Sequence, residues 1–156
     1  MSSWIHVNAA IRIDDLRLDD SVPDFDELIG KECLFDSPES VWDDMAVNPD
    51  LYLPMGSEGT LQKSVWVNPD KSYAAAYTVT IFGDLRDCDE EDAEKVIEWF
   101  KGKCTEINVV RDAIITVRVN ANKPLIFVYD HFKKYRDKNM EEENEETKDN
   151  NSTGNE

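Results

Sequence analysis

Two histidines, His6 and His131, are the residues whose chemistry best suits proton transfer near neutral pH. Two-histidine phosphoesterases need a serine or threonine two positions after each histidine, and Asn8 and Lys133 stand there instead. No pairing of Ser, Cys or His at the spacing of a nucleophilic site accompanies them. We therefore predict structural or surface histidines, no catalytic residues, and a protein that is not an enzyme.

A run of acids follows Gly83 and superficially resembles a cation site, from Asp87 to Asp92. It lacks the glycine at loop position six and the glutamate at position twelve that an EF-hand needs. Acids at the start of a helix are explained by the helix dipole, and Asp87 with Glu90 has the spacing of a capping box. We predict neither a metal ion nor a cofactor.

Three cysteines, Cys33, Cys88 and Cys104, leave one unpaired in any disulfide scheme. Cys88 and Cys104 flank a predicted helix, which places them about 24 Å apart at 1.5 Å per residue, too far for a disulfide. The spacing matches no zinc pattern. We predict reduced thiols in a cytoplasmic protein, and the sequence has neither a secretion signal nor an apolar run long enough to span a membrane.

The net charge of −17 is extreme for 156 residues, and it is unevenly placed. Residues 14–50 carry 13 acids against two bases, and residues 137–156 carry eight acids against two bases. Residues 51–136 are nearly balanced, with 13 acids and 12 bases. Such a surface disfavours nucleic acid and anionic membranes and favours basic partners.

Hydrophobic periodicity predicts the elements that position these charges. Alternation predicts strands at 4–13, 61–67, 113–120 and 125–129, and a strand at 73–83 that ends at Gly83. Ala93, Val96, Ile97 and Phe100 form one face of a helix, with Gly102 in its C-terminal turn. Two short helices fit within residues 14–57, one near 24–29 and one with Ser37 as its N-cap.

This order predicts an α+β fold, with an antiparallel or mixed sheet of about five strands and one main helix on one face. A ferredoxin-like arrangement is one form of it, with residues 14–57 as an acidic helical insertion after the first strand. We predict one domain over residues 1–136 and a disordered acidic tail over 137–156, which has almost nothing to bury.

The segments WIHVNAAIRIDDL, VWVNPD and TVTIFGDLRDC resemble a family of small uncharacterised proteins encoded by bacteriophages. The resemblance implies an early phage accessory protein acting in the infected bacterial cell, a group that includes acidic inhibitors of host defence. It transfers no active residues.

Charge and resemblance together suggest an inhibitor of anti-CRISPR type, which binds a basic, nucleic-acid-handling host protein through carboxylates. The carboxylates expected to make that contact are those of the acidic insertion: Asp14, Asp15, Asp19, Asp20, Asp24, Asp26, Glu27, Asp43 and Asp44.

The alternative is a module that binds a small ligand or a nucleotide signal, or a second copy of itself, on the other sheet face. Trp66 or Phe82 would then stack on a base, and Arg12 or Arg118 would hold phosphate. By alternation the residues proposed for this face are His6, Arg12, Trp66, Phe82 and Arg118.

Overall fold

The first strand is the centre of a five-stranded antiparallel sheet in the computed structural model, which describes residues 2–15, 22–68 and 75–133. The elements in chain order are β1 (Trp4–Asp15), α1 (Phe25–Leu28), α2 (Glu39–Val47), a 3-10 turn (Pro49–Leu51), β2 (Met55–Gly56), β3 (Gly59–Thr60), β4 (Gln62–Val67), β5 (Ala75–Arg86), α3 (Glu90–Glu106), β6 (Val110–Val119) and β7 (Leu125–Asp130). The α+β prediction is confirmed.

The strand order is β4-β5-β1-β6-β7, and every neighbouring pair is antiparallel. β1 and β4 therefore run the same way with β5 between them, and β5 and β6 run the same way with β1 between them. Two such interlocked units are the ferredoxin-like arrangement, to which β7 adds a fifth strand at one edge. A separate two-stranded hairpin, β2 with β3, lies inside the insertion.

The core forms where alternating apolar side chains of β1 meet the apolar stripe of α3. Ile5, Val7 and Ile11 are buried on one face of β1. The α3 side chains that are buried against the sheet are Ala93, Val96, Ile97, Phe100 and Cys104. Phe100 is fully buried and meets Phe127 of β7 edge to face, with ring centroids 6.3 Å apart. This packing fixes α3 on one face of the sheet, as predicted.

The acidic insertion is attached to the same core. Ile29, Leu53 and Leu61 have no exposed surface, and the ring of Phe25 packs edge to face against Tyr77 of β5 at 5.4 Å. A smaller apolar cluster lies inside the insertion and contains Cys33, Met45, Tyr52, Val41 and Trp42. The insertion is thus folded onto the domain and not extended away from it.

Three predicted details around α3 are wrong. β5 does not end at Gly83 but continues to Arg86, because Gly83 (φ +145°) brings the backbone close to Leu61 while it stays paired with Val7. Asp87 has a left-handed backbone (φ 58°) and accepts a hydrogen bond from the Ser57 hydroxyl, so the chain is still turning there.

The capping box lies two residues later than predicted. Asp89 is the N-cap and accepts from the amides of Glu91 and Asp92, while the Asp92 carboxylate accepts from the Asp89 amide. At the other end the helix continues past Gly102 to Glu106, so Gly102 is not its C-terminal glycine. At the second helix, Pro38 and not Ser37 is the N-cap.

Several predictions fall outside the described residues. These are the first two residues of the strand predicted at 73–83, the tail at 137–156, and the carboxylates of Asp15, Asp19 and Asp20. In the parts of the chain that are described, no helix is both long enough and apolar enough to cross a bilayer.

Candidate functional site

Three of the predicted partner-binding carboxylates are committed to contacts within the domain. Asp14 lies 2.5 Å from Arg111 and its side chain is 12% exposed. Asp24 is the N-cap of α1 and accepts from two backbone amides. Asp26 pairs with Lys63, Nζ to Oδ1 2.5 Å, and the Lys63 side chain is largely buried. The Asp26–Lys63 pair joins the insertion to the sheet, whereas Asp14 joins two strands and Asp24 caps a helix within the insertion.

Asp44 is the most heavily bonded of the set. Tyr52 Oη donates to it at 2.6 Å, Asn48 Nδ2 at 2.9 Å and Lys31 Nζ at 3.2 Å. These hydrogen bonds, that from Tyr52 above all, lower the pKa of the Asp44 carboxyl to about 2. The same bond raises the pKa of Tyr52 to about 12. Asp44 therefore connects α2 to the 3-10 turn that follows it.

The other predicted carboxylates divide into exposed and undescribed ones. Glu27 and Asp43 face solvent. Asp15 is paired on β1 with Ala75, but its side chain lies outside the description, as do Asp19 and Asp20 altogether. The structure brings Asp14, Asp24 and Glu27 together around one cavity, whereas Asp26 and Asp44 are paired elsewhere in the domain.

The alternative set shares one face of the sheet, as alternation predicts. Trp66 is 52% and Phe82 40% exposed, so neither α3 nor the insertion covers this face. His6 is hydrogen-bonded to Asp84 at 2.6 Å, and Arg12 lies 3.7 Å from Asp14. Arg118 is exposed next to His6. None of the three cavities described below is lined by these side chains.

The largest of those cavities lies where the insertion meets the end of α3. We call it the acidic cavity; its volume is about 710 Å³ and its lining residues are Ile13, Asp14, Pro23, Asp24, Glu27, Leu28, Lys103, Glu106, Ile107, Asn108 and Val109. Its apolar side chains come from the end of β1, from α1 and from the turn after α3. Four carboxylates and one ammonium group surround them, so the electrostatic potential inside favours a cation.

A second cavity of about 500 Å³ follows α3 toward its N-terminus, and we call it the Trp99 cavity. One wall is the segment 49–55 of the insertion, and the other is the face of α3 that carries Val96, Trp99 and Gly102. Asp50, Asp92 and Lys95 add charge at its rim. A third cavity, of about 400 Å³, lies within the insertion beside Lys31, Asp44 and Tyr52.

Lys103 and Glu106 line both of the larger cavities. Their side chains pair across 3.4 Å, and Lys103 is only 18% exposed. The two cavities are therefore neighbours along one groove between the insertion and α3, separated by a single ion pair.

This groove was not predicted from the sequence. Gly102 was assigned only a place in the C-terminal turn, whereas Trp99, Gly102 and Lys103 recur at the three- and four-residue spacing of a second helix face beside the buried stripe. A glycine within that face was the available signal, since glycine in a helix interior is unfavourable without a local reason. The opposite wall comes from residues far away in sequence, and no local pattern predicts it.

The described residues were considered for a metal site and for a reactive thiol. Among them, no three His, Cys, Asp or Glu side chains are placed to hold a metal ion. Cys33, Cys88 and Cys104 are free and buried. Burial raises the pKa of Cys33 and Cys88 and raises that of Cys104 to about 11, so the thiols are protonated at neutral pH.

Comparison with known proteins gives one result. No family model and no curated protein matches the sequence. A solved structure described as a phage SAM lyase in complex with S-methyl-5'-thioadenosine is similar over 82% of this chain and 92% of its own, with 9% identity and a TM-score of 0.36. Similarity at that level transfers neither the lyase reaction nor its ligand to this chain.

Two predictions conflict with that finding and are corrected. The inhibitor of anti-CRISPR type and the non-enzymatic character were predicted, whereas the structure that matches is an enzyme from a phage, bound to a small molecule. The inhibitor hypothesis also assumed that the insertion presents free carboxylates, and Asp14, Asp26 and Asp44 are held in internal pairs. The basic partner protein remains a prediction that no comparison addresses.

Proposed function

We propose that this protein binds a small organic cation with a flat apolar ring, in the groove between the acidic insertion and α3. The observation that carries the proposal is the pair of adjoining cavities of about 710 and 500 Å³. Both volumes lie in the range of about 300–1,000 Å³ that small-molecule sites occupy, and both combine apolar walls with a few charged groups.

The charge of the ligand follows from the acidic cavity. Asp14 is balanced by Arg111, and Glu106 is paired with Lys103. Glu27 is exposed at the rim and Asp24 turns its carboxylate to the α1 amides. The excess of carboxylates over ammonium groups attracts a cation and repels phosphate. This is why the groove does not suit a nucleotide as well as it suits an amine.

The ring of the ligand follows from the Trp99 cavity. Trp99 is half-buried with part of its indole available, and Met55, Pro54 and Val96 supply further apolar surface around it. An aromatic ring stacked or tilted against an indole gains about 0.5–1.5 kcal/mol beyond its burial. A ligand with its ring on Trp99 and its charge beyond the Lys103–Glu106 pair fills both cavities.

A charge series on one scaffold tests the proposal. 5'-amino-5'-deoxyadenosine, adenosine and AMP share a purine ring and differ at the 5' position, where they carry a cation, a hydroxyl and an anion. We expect the amine to raise the melting temperature most and to bind about tenfold more tightly than adenosine, with AMP weakest. Equal shifts for all three compounds, or the largest shift with AMP, would contradict the assignment.

Two pairs of variants locate the site. Glu27→Gln removes one rim carboxylate and should reduce the preference for the amine about threefold, while Glu94→Gln, an exposed residue elsewhere on the chain, should leave it unchanged. Gly102→Leu fills the Trp99 cavity and should abolish binding of the ring. Gly102→Ala adds only one methyl group, so it is the control and should still bind the ring. Chromatography of the wild-type protein incubated with each of the three compounds shows whether any of them is converted to a product.

The setting of this activity follows the sequence resemblance. We propose that the protein is encoded by a bacteriophage and acts in the cytoplasm of the infected cell, where it would sequester or process its ligand. Detection of the protein in the soluble fraction of phage-infected cells would support this setting, and its recovery with the membrane fraction would count against it.

A further inference from the structure

The face of the sheet opposite α3 carries exposed apolar side chains that no other part of the described chain covers. Those side chains are Trp66, Phe82, Ile114, Ile126 and Val128, which we call the open sheet face, each at least 40% exposed. Ile126 and Val128, at 62% and 58%, are the most exposed of them. Five large apolar residues on one face of a monomer mark an interaction surface.

Strand register shows that the open sheet face has relief. Asn8 and Ala10 lie on β1 in the middle of the face. Phe82 is beside Asn8 on one flank, and Ile114 is beside Ala10 on the other, with Val128 next to it. Asn8 and Ala10 therefore form a low point between Phe82 and Ile114, with the larger His6 and Arg12 before and after them on β1. Another sheet of the same shape, turned to cross it, would place its own ridge there.

The charge on this face differs from that of the rest of the molecule. By register its charged side chains are Arg12, Arg86 and Arg118 against Asp14, Asp84, Asp112 and Asp130, and Arg111 pairs with Asp14, so the two signs are balanced. The helix on the other side carries six acids against three lysines. In a chain of net charge −17, a balanced face is where two identical molecules approach with least repulsion.

The area is also sufficient. Three central strands of 10 to 12 residues and two edge strands of six give a face of roughly 750 Å², at about 3.4 Å per residue and 4.8 Å between strands. A stable interface of standard size buries about 800 Å² on each partner. Because a self-complementary surface needs matched charges and shape, a second copy fits this face better than a basic protein or a nucleic acid.

We infer that the open sheet face binds another copy of this chain, so that the protein self-associates sheet to sheet and leaves the groove on α3 facing outward. The inference does not depend on the proposed ligand, because the two surfaces lie on opposite sides of the sheet.

Light scattering after size exclusion, over a series of protein concentrations, tests the inference. The expected mass is two or more times the 17.9 kDa of one chain. Val128→Asp places a charge on the face and should weaken association at least about tenfold. Val47→Asp makes the same change at a residue that is 78% exposed on α2, and should leave the mass unchanged.

A second variant guards against misfolding. Ile126→Thr keeps the strand-forming shape of the side chain and removes only apolar surface, so it should weaken association while the melting temperature of the monomer stays the same. A wild-type mass of one chain at every concentration would overturn the inference. So would an assembly whose mass neither Val128→Asp nor Ile126→Thr changes, or one that forms only when a nucleic acid or a basic protein is added.

Discussion

At the scale of single residues, several acids of the insertion make hydrogen bonds and ion pairs within the domain. Asp24 caps α1, Asp26 pairs with Lys63 of β4, and Asp44 holds Tyr52. A count of carboxylates therefore overstates the charge that the surface offers to a partner.

The low pKa of Asp44 predicts how the stability of the protein changes at acidic pH. Its pKa is about 2 in the folded protein and 3.8 is the ordinary value, so its stabilising effect is complete above pH 3.8 and is lost as the pH falls toward 2. Asp44→Asn should flatten the loss of stability between pH 4 and pH 2, measured by urea unfolding. Asp43→Asn, on the same helix but exposed, is the control. An acid response of Asp44→Asn identical to the wild type would show that the hydrogen bonds to this carboxylate carry no stability.

A substitution at Tyr52 tests the donor of the Tyr52–Asp44 hydrogen bond without changing the charge of the protein. Tyr52→Phe removes the hydroxyl from a residue that is only 5% exposed, at a cost of about 1 kcal/mol. The melting temperature should fall by about 2–4 °C. A melting temperature equal to that of the wild type would mean that the Tyr52 hydroxyl contributes nothing to the insertion.

The cysteines give a prediction about reactivity. All three thiols are buried and their pKa values are raised by burial. A thiol reagent such as DTNB should therefore modify none of them quickly in the native protein, and should titrate three per chain in denaturant. Rapid modification of one native thiol would contradict the packing around it.

At the scale of elements, sequence pattern predicts whatever is set by local periodicity. The alternation on β1 and the stripe from Ala93 to Phe100 gave the strand, the helix and their buried faces. The pattern failed where contacts between distant segments decide. β5 passes through Gly83 because Val7 pairs with it, and the turn at Asp87 is fixed by Ser3 and Ser57.

The candidate site shows the same limit. Glu27 and Asp14 were singled out for their charge, but their neighbours Lys103 and Glu106 reach them only through the fold. The short strands β2 and β3 were not predicted, because two-residue strands have no period to detect. Alternation predicted that Trp66 and Phe82 share one face of the sheet, but whether that face stays uncovered depends on where the insertion packs, which the sequence left open.

Gly102 gives a prediction at this scale. A Cβ added there meets no atom within 4 Å, so Gly102→Ala should raise the free energy of unfolding by about 0.5–1 kcal/mol through helix propensity. Gly83→Ala is the contrasting variant. Its φ of +145° and the approach to Leu61 at 3.3 Å should make it destabilising by about 1–3 kcal/mol. Urea unfolding measures both, and stabilisation by Gly83→Ala would contradict the backbone described here.

At the scale of the whole molecule, the two faces of the sheet have different proposed functions, ligand binding on one side and self-association on the other. The face under α3 supports the groove, where carboxylates exceed ammonium groups. The opposite face is apolar with balanced charge. Since salt screens the repulsion between two chains of net charge −17, self-association should strengthen as sodium chloride is raised. Ultracentrifugation across a salt series measures this, and association that weakens with salt would indicate a contact led by opposite charges.

The central claim is that a small cation with a flat ring occupies the groove beside Trp99. The chain has four tryptophans, and each indole N–H gives its own NMR signal, with Trp99 in the groove and Trp66 on the open sheet face. Titration with 5'-amino-5'-deoxyadenosine should shift the Trp99 signal and leave the Trp66 signal in place. A titration that shifts the Trp66 signal alone, or moves neither, would contradict the claim.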